Sequence, residues 1–309
     1  MWFKTDSFHY VWKRVEGDVA LAADIRFPQA GGNNHRKAVL MIRQTLDPDS
    51  VYADAVLHGD GLTSLQFREQ AGDGTHEVQT AIAAPTRLRL EKIGDSVYLS
   101  LAGPDGVLRP SGCSTRLAFQ SPFYLGLGVC AHDDEAFETV EFSKVVIGPP
   151  STAVTAVRSS LEFVYAASAD RRSVYHTTDR IEARGWAPDG SALLFARGDH
   201  VFRCPLAARG DGRDGAEPVR LTAPGDAVPE RLGGNEVRSP DGKWVAILNT
   251  SPEPPGRPGN QKTTLQLRNV LTDETRVLLT LPGGLGTISP PAWSPDSTKI
   301  AYVRYQTAP

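Results

Sequence analysis

The chain has 309 residues, of which 40% are hydrophobic and 22% charged, with a formal net charge of −3. That balance describes an ordinary globular surface around more than one core and argues against a nucleic-acid partner: basic residues are spread singly, Arg171-Arg172 is their densest cluster, and no aromatic-basic stripe occurs. No apolar run approaches the ~20 residues needed to span a bilayer, and the N-terminus has no signal-peptide core, so the sequence as it stands reads as cytoplasmic, without a membrane span.

Residues 1–148 are dominated by period-two alternation. Val51, Ala53, Ala55 and Leu57 point one way, and Tyr52, Asp54, Val56 and His58 point the other. Leu65 and Phe67 oppose Ser64, Gln66 and Arg68 in the same manner. Further strand-like runs are Phe8 to Lys13, Val19 to Phe27, Lys37 to Gln44, His76 to Ile82, Arg87 to Lys92, Val97 to Leu101, Phe123 to Cys130 and Glu138 to Ile147. Turn signals such as Asp47-Pro48-Asp49, Gly59-Asp60-Gly61 and Pro104-Asp105-Gly106 separate them. About ten half-buried antiparallel strands in this length predict a two-sheet sandwich.

The polar side of that sandwich carries the candidate ligand site. Tyr52, Asp54 and His58 share one strand face, Gln66 and Arg68 share the next, and Arg43 ends the strand before. A ring to stack on, with carboxylate, amide and guanidinium groups around it, is what a carbohydrate site requires. The same alternation equally describes a solvated outer face, on which Arg68→Ala would hardly change stability.

Other chemistries fare less well. No nucleophile elbow, zinc-protease motif or phosphate loop occurs. Glu138 and Glu141 are three apart, so a regular strand sends them to opposite faces, unlike the paired carboxylates of a retaining glycosidase. Asp47, Asp49 and Asp54 lack the further ligands of a calcium loop, and the scattered histidines have no ligand spacing, so no metal or cofactor is expected. Gly126-Leu-Gly-Val-Cys-Ala131 matches a dinucleotide fingerprint only formally, because its glycines lie within a strand, where they allow close packing. Cys113, Cys130 and Cys204 read as reduced structural thiols, the alternative being a Cys113 to Cys130 bridge.

After a linker at residues 149–160, one turn-and-strand unit recurs. Trp186-Ala-Pro-Asp-Gly, Arg238-Ser-Pro-Asp-Gly and Trp293-Ser-Pro-Asp-Ser each precede an apolar strand, at a spacing of 52 and then 55 residues. Proline and aspartate preset a tight corner, and glycine relieves its exit. Arg238 and Ser297 depart from the pattern, at the tryptophan and glycine positions. Strands behind the corners include His200 to Leu206, Glu217 to Thr222, Thr264 to Val270 and Thr275 to Leu281. Residues 161–309 hold roughly three such units. Leu161 to Ala167 and Ser173 to Thr177 read as a partial first blade and Pro309 as a stop in mid-blade, so a truncated chain with open, self-associating edges is expected.

These corners resemble the WD40-like repeat of TolB-type β-propellers, also found in tricorn-type and dipeptidyl-peptidase-type proteases. Residues 2–147 resemble a concanavalin-A-like jelly roll in the order Phe8-His-Tyr-Val-Trp-Lys13, His35 to Gln44, Tyr52-Ala-Asp54, Leu65-Gln-Phe-Arg68 and Phe123 to Val129. The resemblance implies an all-β protein, a jelly-roll sandwich followed by a partial propeller of about three blades. It also implies non-enzymatic recognition of a glycan or protein partner, with a periplasmic location if the N-terminus is truncated. The alternatives are a carbohydrate-active hydrolase using the jelly-roll cleft and a non-functional fragment of a longer protein.

Overall fold

The computed structural model describes residues 3–80, 82–103, 105–151, 154–206, 217–221, 234–251, 262–282 and 285–306. The predicted strand residues Ala81 and Thr222 and the turn residue Pro104 lie outside them. The protein is all-β, and it divides into two compact units, residues 1–156 and 157–308.

The first unit contains β1 (His9–Val15), β2 (Val19–Arg26), β3 (Lys37–Arg43), β4 (Tyr52–His58), β5 (Thr63–Arg68), β6 (His76–Gln79), β7 (Arg87–Ile93), β8 (Ser96–Ala102), β9 (Leu108–Arg116), β10 (Phe123–Cys130) and β11 (Glu141–Gly148). They pair as two antiparallel layers, β1-β10-β3-β4-β5-β6 and β11-β2-β7-β8-β9. The core between the layers follows the alternation: Ala38, Leu40, Ile42, Ala53, Ala55, Leu57, Leu65 and Phe67 face Leu21, Leu88, Leu90, Val97 and Leu99. Among the described residues eleven strands stand where about ten were expected, the addition being β9.

Two local features explain the packing of β1 and β10. A Cβ on Gly126 would sit 2.1 Å from the Val11 carbonyl oxygen, and one on Gly128 would sit 2.7 Å from Val39 Cγ2 and 3.1 Å from the Phe8 ring. The glycines therefore permit close approach, and no helix follows them. Cys113 belongs to the inter-layer core and Cys130 to a second cluster with Val39, Met41, Tyr52 and Val56 on the opposite face of the six-stranded layer. The two thiols are buried and unbridged.

The second unit contains β12 (Ser159–Tyr165), β13 (Arg171–Thr177), β14 (Glu182–Trp186), β15 (Ala192–Arg197), β16 (His200–Pro205), β17 (Val219–Arg220), β18 (Glu236–Arg238), β19 (Trp244–Ser251), β20 (Lys262–Asn269), β21 (Thr275–Pro282), β22 (Ala292–Trp293) and β23 (Lys299–Tyr305). Two four-stranded sheets are sequential, β14 to β17 and β18 to β21. The third joins the two ends of the unit, so the strands read as a partial first blade and the last strand of the chain share one sheet. Its order is β13-β12-β23-β22, and β12 runs antiparallel to β23 from Ser159 opposite Tyr305 to Tyr165 opposite Lys299. The first and last strands of the unit are two halves of one sheet.

That shared sheet packs apolar side chains on both faces. Phe163, Ala301 and Val303 pack against Phe195 and Leu193, and Val164, Ile300 and Tyr302 pack against Leu248, Leu265 and Leu267. Each corner closes with the fifth residue donating its N–H to the second: Gly190 to Ala187, Gly242 to Ser239 and Ser297 to Ser294, each at 2.9 Å. Ser297 accepts φ +59° where the others are glycine, and its hydroxyl receives the Asp241 N–H at 3.1 Å. The motif aspartates hold their own turns: Asp241 Oδ1 accepts the Ser239 hydroxyl at 2.6 Å and the Lys243 N–H at 3.1 Å, which lowers its pKa.

The seam between β12 and β23 depends on one buried carboxylate. Glu162 is fully buried, accepting Tyr302 OH at 2.9 Å and Arg304 Nε at 2.7 Å. Glu162→Ala removes the carboxylate that faces the buried Arg304 guanidinium and the Tyr302 hydroxyl, a loss of about 3–5 kcal/mol. The expected outcome is faster amide exchange in residues 159–165 and 299–305 with strands β3 to β5 unchanged; uniform protection in both units would contradict the seam.

Candidate recognition site

The six predicted ligand residues do share one face. Strand register sets Arg43 opposite Tyr52, Tyr52 opposite Arg68, and Asp54 opposite Gln66, with His58 opposite Lys37. Their exposure is corrected. Arg43, Tyr52, Asp54, His58, Gln66 and Arg68 are each at most 4% exposed, so the face is neither solvated nor open to a ligand at these side chains. Period two identifies the side a residue takes and is silent on what lies over it.

Part of the cover is the segment before β1. Asp6 Oδ2 accepts Arg43 Nη1 at 2.8 Å and Arg68 Nη1 at 2.9 Å, and Asp6 Oδ1 accepts Arg68 Nη2 at 3.1 Å. Backbone carbonyls take the remaining donors: Arg68 bonds Asp73, Ser50 and Phe3, and Arg43 bonds Asp47 and Thr45. The Tyr52 ring lies between the two guanidinium carbons, 5.6 Å from Arg43 and 5.0 Å from Arg68, and its hydroxyl meets Thr75 at 2.9 Å. Arg68 has no donor left for a sugar.

A second group surrounds Glu77 on β6. Its Oε1 accepts Ser64 Oγ at 2.7 Å and Gln66 Nε2 at 2.9 Å, and its Oε2 accepts Gln79 Nε2 at 2.8 Å. Lys37 Nζ donates to Gln66 Oε1 at 3.0 Å. The Gln66 amide has one hydrogen left, aimed at His58 Nε2 at 3.2 Å, so that nitrogen accepts and the ring proton sits on Nδ1. Burial, reinforced by the Lys37 charge, pushes His58 down to about 3 and keeps it neutral. His58 Nδ1 and both oxygens of Asp54 are buried without a hydrogen-bond partner. Burial pushes the Asp54 carboxyl up to about 7, against the pull of Lys37.

Toward one rim the face gives way to a cleft. His58 contacts His35, with ring centroids 6.2 Å apart, and His35 contacts His132 at 5.9 Å. His132 lines a cleft of about 830 Å³ with Ser7, Phe8, His9, Asp133, Asp134, Phe137 and Glu138. The loop bearing these groups is pinned from below: Asn33 Nδ2 donates to the His132 carbonyl at 2.9 Å, and Arg36 pairs with Glu138 at 2.9 Å, both side chains nearly out of water. Phe137 is fully exposed beside them.

Sequence reasoning missed Asp6, Lys37 and Glu77 in the network. Lys37 and Glu77 fall on the right side of their strands by alternation with Ala38 and Val78, whereas Asp6 lies in an irregular segment with no periodic signal. It also left Phe137 unused, although an aromatic residue beside the Asp133-Asp134-Glu135 loop is visible in the sequence. Among the described residues no group of three metal-ligating side chains occurs, and no helix is long and apolar enough to cross a membrane.

No family model matches the chain. It is 28% identical over 130 residues to the uncharacterized protein Atu1656 of Agrobacterium fabrum, a match covering 42% of each protein, so the matched region spans about two fifths of that relative's length. Among solved structures it is similar to a putative TolB from Agrobacterium tumefaciens, at 17% identity and a TM-score of 0.31, over 49% of this chain and 99% of that one. It is also similar to the carbohydrate-binding module CBM66 from Bacillus subtilis, at 19% identity and a TM-score of 0.30, over 47% of this chain and 94% of that one.

Two outcomes follow from the buried face. Arg68→Ala strips Asp6 of a partner inside the protein and is expected to cost about 3–5 kcal/mol in denaturant unfolding, not the small change of a surface substitution. A change within about 0.5 kcal/mol would show that the guanidinium is solvated. Asp54 gives a pH dependence. With its folded pKa raised from 3.8 to about 7, the folded chain holds a proton across that window that the unfolded chain has lost, so the stability from this group falls as pH rises. His58, lowered from 6.5, acts in the opposite direction, and the comparison is therefore with Asp54→Asn. The melting temperature of the variant relative to the parent should be higher at pH 8.5 than at pH 5; an equal difference at both would contradict an isolated buried carboxyl.

Proposed function

We propose that this chain is a non-enzymatic recognition protein, a jelly-roll-type sandwich followed by a three-bladed arc of TolB-like propeller, and that it binds a glycan in the cleft at the rim of the six-stranded layer. What carries the reading is the cleft itself. Its roughly 830 Å³ falls within the ~300–1,000 Å³ of small-ligand sites, and it combines the exposed Phe137 ring with His9, His132, Asp133 and Asp134 on a loop anchored by Asn33 and Arg36. A sugar offers apolar C–H faces to the ring and hydroxyls to the imidazoles and carboxylates. The absence of catalysis in this proposal rests on the face beneath: the Glu77 carboxylate is occupied by Ser64, Gln66 and Gln79, and Glu138 by Arg36. The periplasmic location belongs to the same proposal and comes from the TolB resemblance.

A protein partner is favoured by a different feature. β1 and β11 stand last in their sheets, with Val11 75%, Trp12 45% and Val146 54% exposed, and an edge strand with apolar side chains suits pairing with another chain.

The glycan reading is tested by a glycan array on the full chain, with a hydrolysis assay on every hit. Binding without turnover is expected, and Phe137→Ala should weaken it at least tenfold while leaving the melting temperature in place. Turnover of the bound glycan, or equal affinity in the variant, would overturn the proposal.

A further inference from the structure

We propose that the second unit binds a small organic carboxylate in the open pocket lined by its three repeat corners, with Arg184 as the buried anchor and Arg238 as an exposed second cation. The inference is independent of the glycan cleft. The pocket, of about 520 Å³, is lined by Arg184, Trp186, Arg238, Pro240, Trp293 and Pro295, among others, drawn from β14, β18, β22 and the turns that follow them.

The repeat explains the shape of this pocket. Trp186 Nε1 donates to the Ala292 carbonyl, the residue before Trp293, and Trp293 Nε1 donates to the Val237 carbonyl, the residue before Arg238, each at 2.9 Å. Two of the three sheets thus tie their corner to another by one indole. The same rule would have a third tryptophan at position 238 donate to the Gly185 carbonyl. Arg238 stands there, and its Nε and Nη2 turn to the Gly242 carbonyl of their own corner at 3.2 and 3.1 Å. The relay is open at that point, and a cation occupies the opening.

Arg184 supplies the second observation. Its side chain is 10% exposed, one nitrogen reaches Glu182 at 3.2 Å, and Nε and Nη1 are buried with no hydrogen-bond partner. Buried N–H groups of a cation without an acceptor are costly, and an ionised oxygen is the acceptor that relieves most of that cost. Both tryptophan N–H groups lining the pocket are already donated, so the indoles offer ring faces, which with Pro240 and Pro295 suit a flat apolar body. A carboxylate on an aromatic or short alkyl stem satisfies both demands. A phosphate brings more charged oxygens than these donors match and no apolar body.

The test is a fluorescence titration of the full chain with phenylacetate, using phenylacetamide and inorganic phosphate as comparison ligands. Saturable quenching by phenylacetate is expected, with at least tenfold weaker response to the uncharged amide and to phosphate. Arg184→Met should abolish saturation without lowering the melting temperature, because it removes a half-satisfied buried cation. Arg238→Gln, made at an exposed side chain, repeats the test independently of folding and should weaken binding severalfold. Equal quenching by acid and amide, preference for phosphate, or parental affinity in a folded Arg184→Met or in Arg238→Gln would each overturn the assignment.

Discussion

One carboxylate between two guanidinium groups organises the first unit. Asp6, Arg43 and Arg68 are withdrawn from water together, and each such ion costs several kcal/mol to desolvate unless its remaining donors and lone pairs are met. Here they are met by backbone carbonyls from residues 3, 45, 47, 48, 50 and 73, with Met41 Sδ beside Arg43. The arrangement ties the segment before β1 to the ends of β3 and β5 and to the turns beside them. It converts the polar side of a sandwich into interior, with a packed ring, Tyr52, between the cations.

That conversion bears directly on the proposed recognition. Side chains with the right chemistry for a sugar, Arg68 above all, are committed to holding the protein together. Groups still open to solvent gather at the rim, where the loop of His132 to Phe137 projects and is held by Arg36 and Asn33. In the second unit the same accounting runs the other way. Arg184 is buried with donors unspent, and a position that is tryptophan in the other two corners carries Arg238.

Much of this architecture was legible, and the limits were physical. Alternation in β4 and β5 assigned Ala53, Ala55 and Phe67 to the core and Asp54, His58 and Arg68 to the opposite face, because a strand's side chains take turns whatever surrounds them. Burial of that second face depends in part on an irregular segment containing Asp6, which no periodicity announces. The corners were legible from proline and aspartate, since those residues shape a turn locally. The partnership of β12 with β23 was not, because a strand carries no mark of a partner at the far end of the unit, and two half-sheets then read as two broken ones.

The central claim is that Asp6 and Arg68 are coupled inside the protein and not merely near one another at its surface. A double-mutant cycle with Asp6→Asn, Arg68→Met and the combined variant, followed by denaturant unfolding of the first unit, measures that coupling directly. The account gives an interaction of about 2–3 kcal/mol, with the double variant more stable than Asp6→Asn alone. Additive effects within about 0.5 kcal/mol would contradict it and return the face to solvent.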